Sequence, residues 1–551
     1  METIKITMSG KVKEIPKGVT LLEFLQAYPT TERPPVVAAR VGNRLRELTY
    51  ALTENATVTP VDLLSQDGIR IYSRSLKMVL IRATREIFPN ARVKIDHSLS
   101  KGLYGEIYLG RPLTERDLKV IAVRMREIID ADEPIEKRSL PVEEAIKIFA
   151  QDGQEDKVRL LEYRKAPQTT IYKCGWLHNY FYGYMLPSTG YLKKFELRFY
   201  LPGFILRYPT TDRPWEVPEF VDHLKLAHVF YEHEKWGNVL QVSDVASLNK
   251  RITMGKGGDL IRITEAYHEK RIANIADMIT KEHGRIRIVL IAGPSSSGKT
   301  TFTQRLAIQL QVNGVKPISI SLDDYFVDRV NTPVNEKGEP DFEALEAIDL
   351  ELFNSQLTSL ILGEEVELPR YNFITGKREY RGEKLRISAE QPILIEGIHG
   401  LNERLTEAVP KDRKFKIYLS ALTQLNLDDH NRIPTTDNRL IRRIVRDSKF
   451  RNHDALTTIK LWPAVRRGEE RNIFPFQEEA DVMFNSALEY ELAVLKPYIV
   501  PLLTKIGPEH PEFSEAHRLL KFLNYFIPME TAEVPLNSIL REFIGESCFH
   551  C

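Results

Sequence analysis

The stretch Ile288 to Phe302, IVLIAGPSSSGKTTF, joins an apolar run to a glycine-bracketed loop that ends in Lys-Thr-Thr. Its loop, Gly293-Pro294-Ser295-Ser296-Ser297-Gly298-Lys299-Thr300, satisfies G-x-x-x-x-G-K-[ST]. Such a loop is built for phosphate. The glycines let successive backbone N–H groups turn toward phosphate oxygens, and the following helix adds the positive end of its dipole. Lys299 can reach the β- and γ-phosphates, and the Thr300 hydroxyl can ligate Mg²⁺. Gly293, Ser295, Ser296, Ser297, Gly298, Lys299, Thr300 and Thr301 are therefore the expected nucleotide-phosphate contacts, with ATP and Mg²⁺ as the cofactors.

A phosphate holder needs an acceptor and a clamp. The segment VKPISISLDDYF reads as the next strand and ends in Asp323-Asp324. A carboxylate at the C-terminal end of an adjacent parallel strand points into the crevice where such sheets bind ligands. There Asp323 can take a proton from an attacking hydroxyl, as a small-molecule kinase requires. In RLIRRIVRD, Arg443 and Arg446 stand three residues apart and share a helical face. They could clamp the negative charge that spreads during phosphoryl transfer. No N/T-K-x-D guanine motif follows the loop. The candidate catalytic set is Asp323, Lys299, Arg443 and Arg446.

These groups require a doubly wound sheet. RIRIVLIAG is the continuous Ile/Val/Leu run of a strand buried on both faces, and TFTQRLAIQLQVNG reads as a helix ending at Gly314. At 551 residues the chain is too long for one core. A net charge of +1 supplies no global field toward nucleic acid or an anionic membrane. A local basic patch for nucleic acid stays open, as does a homo-oligomer. Three cysteines suit a reducing compartment, the N-terminus has no signal-peptide core, and no apolar run spans a bilayer. A cytoplasmic, soluble protein is expected.

Six ordered blocks now carry a resemblance: the loop, SLDDYF, DFEALEAIDLELFNSQLTSL, VELPRYNFITGKR, PILIEGIHGL and RLIRRIVRD. Over about residues 286–490 the chain resembles uridine kinases, which belong with phosphoribulokinase and bacterial pantothenate kinase. The resemblance implies an ATP-dependent kinase acting on a hydroxyl of a small nucleoside-like acceptor, the 5′-hydroxyl of uridine or cytidine. It implies Asp323 as general base, Glu343 on the ribose hydroxyls, Tyr371 and Phe373 around the base, and Glu396 beside Mg²⁺ with Thr300. Arg443 and Arg446 would close over the phosphates, Arg443 also touching the substrate. Arg451 is a further lid candidate, and Arg439 and Arg442 are neighbours without an assigned role. The sequence departs from the family at Asn372 and Gly376, where the base-reading motif has Asp and His, at Glu343, where it has Asp, and at His453, where it has a lid arginine.

The N-terminal half reads differently. A hairpin pattern around Ser9-Gly10-Lys11, a helix capped by Thr20 and a strand near Val36–Val41 give a ubiquitin-like β-grasp unit over 1–64. This stretch resembles the TGS domain of threonyl-tRNA synthetases, and 65–235 resembles their second, editing-type α+β domain. There the family carries His-x-x-x-His and Cys-x-x-x-His; here the first pair falls on Arg74 and Met78, and the second on Cys174 and His178. Half a site is not a metal site, so a remnant scaffold is expected. The aromatics between Tyr172 and Tyr200 read as cross-strand pairs of an antiparallel sheet, with base stacking as the alternative. Residues 236–285 read as a helical linker with a hinge at Gly255–Gly258, an anion nest being the alternative, 286–500 as the kinase-like domain, and 501–551 as a helical tail. Cys548 and Cys551 form a C-x-x-C around His550 that could bind metal or act in redox chemistry, at a chain end expected to fray. The alternative to an enzyme is a nucleotide-switched RNA- or tRNA-binding regulator using the TGS-like half.

Overall fold

The computed structural model describes residues 2–29, 34–334, 338, 340–372 and 375–549. Phe373 and Cys551 lie outside the described residues, so the expectations placed on them are not addressed.

The first unit pairs β1 (Thr3–Met8) with β2 (Lys11–Pro16) across the turn at Ser9-Gly10, where both residues have positive φ. Helix α1 (Leu21–Ala27) follows, its first turn closed by a reciprocal capping box between Thr20 and Glu23. Strands β3 (Ala38–Val41), β4 (Arg44–Arg46) and β5 (Ala56–Val61) complete a sheet of order β2-β1-β5-β3-β4, in which β1 and β5 run parallel. This is the β-grasp arrangement that the hairpin and capped helix predict.

The second unit packs α2 (Gln66–Ile87) and α3 (Glu115–Asp130) on a sheet of order β11-β12-β7-β6. Its strands are β6 (Arg92–Leu99), β7 (Gly102–Tyr108), β11 (Glu196–Tyr200) and β12 (Gly203–Arg207). A smaller sheet holds β8 (Ile135–Pro141), β9 (Gln168–Cys174) and β10 (Leu177–Asn179), with α4 (Val142–Gln151) and α5 (Glu155–Leu161) between β8 and β9. Phe199 faces Phe204 across β11 and β12, as expected of cross-strand aromatics. Most of the other rings between 180 and 195 sit in irregular backbone packed into the core, so hydrophobic burial and not strand pairing holds them.

Three helices follow: α6 (Leu224–Leu240), α7 (Val245–Thr253) and α8 (Gly257–Lys281). The expected hinge falls at a helix junction. Gly255 adopts φ 72 to end α7, and Gly257 and Gly258 open α8 at once. The Glu533 carboxylate lies where a Cβ on Gly258 would stand, the end of a half-exposed side chain that can shift. Leu260, Ile261, Ile272, Ile275 and Ile279 of α8 are buried in the same core as the phosphate-loop helix.

The third unit is a five-stranded, all-parallel sheet of order β14-β17-β13-β18-β21. Its strands are β13 (Ile288–Ala292), β14 (Ile318–Ser321), β17 (Ile393–Glu396), β18 (Lys414–Ser420) and β21 (Val482–Asn485). Helices α9 (Lys299–Val312), α10 (Leu350–Ile361), α11 (Thr435–Phe450), α12 (Ala455–Asn472) and α13 (Glu491–Thr504) surround it, and a hairpin of β15 (Val366–Asn372) and β16 (Lys377–Leu385) stands apart. A second small hairpin, β19 (Asn426–Asp428) with β20 (Asn431–Arg432), reaches the middle unit. Lys157 bridges Asp156 and Asp428 at 3.2 and 3.1 Å there, and Arg92 grips Asp429.

After α13 come α14 (Phe513–Leu523) and the short α15 (Arg541–Ile544). Far from hanging loose, this tail buries Phe522, Leu523, Tyr525, Phe526, Ile539, Leu540 and Phe543. Cys548 is exposed near its end.

Candidate active site

The phosphate loop occupies the position its sequence demands. It leaves the central strand β13, turns through Ser296 (φ 60) and Gly298 (φ 87), and enters α9 at Lys299. A Cβ on Gly293 would lie 2.0 Å from the Leu419 carbonyl oxygen, so the loop's first turn has room only for glycine. Lys299 Nζ donates to the carbonyls of Gly293 and Pro294 at 3.0 and 3.4 Å, folded back over the loop. Burial lowers its pKa, while Glu396, Asp323 and Glu542 act in the opposite sense.

Two buried ion pairs brace the loop from behind. Arg439 is bidentate to Glu469, and the same carboxylate accepts from the Ser295 N–H at 3.0 Å while Arg439 donates to the Ser295 carbonyl at 3.0 Å. Arg442 pairs with Glu491 at 2.5 Å and donates to the Ser486 carbonyl at 2.8 Å; the Ser486 hydroxyl donates to the Ser297 carbonyl. Both arginines are fully buried. Buried pairs of this kind fix a geometry more than they add stability. Sequence reasoning left Arg439 and Arg442 unassigned; their spacing on α11 turns them toward the loop, but only the fold supplies Glu469 and Glu491.

Arg443 and Arg446 share the outer side of α11. Arg443 Nη1 donates to the Ser295 hydroxyl at 2.7 Å, and its Nε lies 3.2 Å from Asp447. Arg446 donates to Asp447 at 2.9 Å, and Arg451 stands 3.9 Å from the same buried carboxylate. Asp447 thus gathers all three candidate lid arginines.

Asp323 opens the tight turn Leu322–Tyr325 after β14, its N–H resting on the Ser321 hydroxyl at 3.3 Å. One expectation needs correction: β14 is not adjacent to β13, since β17 lies between them. The turn nonetheless brings Asp323 into electrostatic contact with Lys299. The protein around its carboxyl pushes the pKa up, with Lys299, Arg451 and Arg446 opposing, although one side of the residue opens to solvent. Asp324 is already engaged, accepting from Arg370 at 2.9 Å and from the Tyr371 N–H at 3.3 Å. Of the two aspartates, Asp323 is the one available for chemistry.

Glu396 ends β17, the strand between β13 and β14. It accepts from the Thr300 hydroxyl at 3.2 Å through Oε1, and burial, with Asp323 and Glu542 nearby, raises its pKa to about 7 against the pull of Lys299. Its other oxygen is buried with no hydrogen-bond partner among the described residues. A hydroxyl and a carboxylate oxygen left unpaired form the hard-oxygen donor set that suits Mg²⁺. Glu343 is pushed up to about 7 by burial and by Glu469, with Arg443 and Lys299 lowering it. A Cβ on Gly468 would strike the Glu343 side chain, so α12 presses closely on it. Tyr371 is buried, edge-on to Phe326 at 5.5 Å. Gly376 takes φ 69, and a Cβ there would lie 2.8 Å from Arg329 Nε. An arginine side chain thus fills the space beside the missing histidine.

One participant escaped the sequence reading. Glu542 of α15 accepts from the Thr301 N–H at 3.3 Å and from its hydroxyl at 3.0 Å. It lies 241 residues from Thr301, and nothing local in the sequence signals the contact.

The editing-type residues do not assemble. In the β9–β10 hairpin Cys174 pairs with Leu177 and His178 with Lys173, so the two side chains leave opposite faces. Cys174 is buried beside Arg82, while His178 lies 3.9 Å from Asp152. Met78 sits in a core with Phe181 and Met185, and Arg74 packs on Gly183. Among the described residues the one cluster with metal-ligand spacing is Asp156, Asp428 and His430, where the Lys157 ammonium already bridges the carboxylates.

A parallel sheet with a phosphate loop on its central strand and acidic residues at neighbouring strand ends defines an α/β phosphate-loop nucleotide-binding architecture. Residues 288–493 match the phosphoribulokinase / uridine kinase family and carry a domain of that family. The N-terminal half matches threonyl-tRNA synthetases. Identity is 31% over 191 residues with the Symbiobacterium thermophilum enzyme, covering 34% of this chain and 29% of that protein. It is 29% over 189 residues with threonine–tRNA ligase 2 of Bacillus subtilis, covering 34% and 30%. The chain therefore spans about a third of the length of these relatives. Among solved structures, a possible uridine kinase from Bacillus stearothermophilus is similar at 24% identity, covering 39% of this chain and 98% of that one, TM-score 0.27. A putative fructose transport system kinase from Silicibacter sp. TM1040 is similar at 17% identity over 39% and 98%, TM-score 0.29. No described helix is long and apolar enough to cross a membrane.

Proposed function

We propose that this chain is an ATP-dependent kinase that transfers the γ-phosphate to a hydroxyl of a small acceptor, a nucleoside being the acceptor class favoured. The observation that carries the reading is the electrostatic grouping of Lys299, Asp323, Glu396, Glu343 and Arg443 around one phosphate loop. Gly293 and Ser295 to Thr301 hold the nucleotide phosphates, chiefly through backbone N–H groups, and Lys299 swings from its carbonyl contacts onto them. Mg²⁺, held by Thr300 and Glu396, would neutralise phosphate charge. Asp323 accepts the proton of the acceptor hydroxyl; a carboxyl whose pKa is raised by its surroundings is a stronger base than a free one. Glu343 and Tyr371 orient the acceptor, and Arg443 with Arg446 balance the charge that develops on transfer.

Uridine and cytidine 5′-hydroxyls are the first candidates, but Gly376 has no side chain to read a base, and Arg329 fills the space beside it. A radiolabelled-ATP assay across nucleosides and other hydroxyl compounds tests the reading. Transfer to an acceptor that requires Lys299 supports it; absence of transfer to every acceptor sinks it. The alternative, a nucleotide-switched tRNA-binding regulator, is favoured by the synthetase-like half. Tight tRNA binding without any phosphotransfer would select it.

A further inference from the structure

A cavity of about 250 Å³ lies where three parts of the chain meet: β4 of the first unit, α2 with the Tyr182–Tyr184 segment of the second, and α14 of the tail. Its lining is heavily basic. Arg44, Arg46, Arg70, Arg74, Arg518 and Lys521 face it against a single carboxylate, Asp67, in a chain whose net charge is only +1. Two of these cations are neutralised. Arg70 pairs with Asp67 and Glu515 at 3.2 and 2.9 Å, and Arg518 with Asp437 and Glu515 at 2.6 and 2.7 Å.

The other four have no carboxylate within ion-pair range among the described residues. Arg44 lies over the Phe513 ring at 5.5 Å, Arg46 over Tyr50 at 4.7 Å and Lys521 over Tyr184 at 5.5 Å. Arg74 donates to the Tyr184 carbonyl. Arg46 Nε is buried with no hydrogen-bond partner among the described residues. Burial and neighbouring cations hold Arg74 and Lys521 below their ordinary pKa. Four cations crowded into a concavity repel one another, and a buried donor left unmade costs free energy. A bound polyanion would relieve both.

We propose that this cavity binds a small ligand through a polyphosphate group, the chemistry shared by free pyrophosphate and by nucleoside polyphosphates. Its volume suits a small molecule and is far too small for a nucleic-acid duplex. The occupant would also lie one ion pair from the phosphate-loop unit. Arg518 lines the cavity and is bidentate to Asp437 in the first turn of α11, the helix that carries Arg443 and Arg446. Occupancy would thus bias the arginine helix from a distance, which makes this an effector site.

Binding at this site does not depend on the kinase reading, and the test reads binding alone. The full-length Lys299→Ala variant, with its phosphate loop disabled, is titrated calorimetrically with sodium pyrophosphate and separately with ATP at low salt. A saturable site is expected, weakened about tenfold by Lys521→Gln and again by Arg46→Gln, and restored by Lys521→Arg. Raising the salt should weaken it further. Tighter binding of ATP than of pyrophosphate assigns the site to a nucleotide, and equal binding to free polyphosphate. Neither probe binding the Lys299→Ala variant overturns the proposal, as does unchanged affinity in both glutamine variants. Among the described residues neither Lys521 nor Arg46 has a carboxylate partner, so each glutamine variant should melt within a few degrees of its parent.

Discussion

Replacing Glu542 by glutamine should tighten nucleotide binding. Its carboxylate sits on the N–H and hydroxyl of Thr301, the third residue of α9, where the helix N-terminus would otherwise offer that N–H to a phosphate oxygen. The segment is held there mechanically. A Cβ on Gly298 would meet Ile539 Cγ2 at 2.4 Å, and Phe543 lies under the Arg442 guanidinium at 5.0 Å. A nucleotide must therefore displace a charge-assisted hydrogen bond and approach a like charge. Such bonds contribute about 1.5–3 kcal/mol net, and the 3.3 Å separation argues for the lower end. At about 1.4 kcal/mol per decade, Glu542→Gln should bind a non-hydrolysable ATP analogue roughly tenfold more tightly by calorimetry. Glutamine keeps an acceptor oxygen for Thr301, so the nucleotide-free protein should lose only about 1 kcal/mol, the difference between a charge-assisted and a neutral hydrogen bond at a helix N-terminus. Glu546→Gln serves as the control, because Glu546 pairs with Arg541 instead. Equal or weaker nucleotide affinity in Glu542→Gln would refute the reasoning.

Three further outcomes are expected. Asp323→Asn should retain nucleotide affinity within a few-fold while phosphotransfer falls by about 10²–10⁴; transfer at the wild-type rate would remove Asp323 as the base. Glu396, raised to about 7 by burial, takes up a proton on folding, so the stability it lends is full below its unfolded pKa and is lost as pH rises toward 7. Glu396→Gln, isosteric with the protonated form, should therefore gain in melting temperature relative to wild type between pH 5 and pH 8. A difference independent of pH would mean that the carboxyl does not titrate there. Arg442→Met should cost about 3–5 kcal/mol in denaturant unfolding, because it strands the buried Glu491 carboxylate. The double variant Arg442→Met/Glu491→Leu should recover a large part, and failure to recover any would mean that lost packing is responsible.

What the sequence alone determined is local or periodic. The Gly293–Thr300 loop needs a strand before it and a helix after it, and the apolar run at 288–292 and the helical stretch from Lys299 to Val312 supply both in one short segment. The Ser9-Gly10 hairpin and the Thr20 capping box are similarly short-range, decided by φ preferences and one side chain reaching back three residues. Tertiary structure decided the rest. Cys174 and His178 look like a ligand pair at a spacing of four, but the pleat of a tight hairpin sends them to opposite faces. β17 intervenes between β13 and β14, because strand order is set by how helices cover the sheet and not by sequence order. Arg439 and Arg442 became the braces of the phosphate loop only when folding brought Glu469 and Glu491 against them. The carboxylate on Thr301 arrives from the far end of the chain, where burial of Ile539, Leu540 and Phe543 in the shared core fixes it. A contact across 241 residues leaves no periodicity to read, since it exists only once the hydrophobic core has closed.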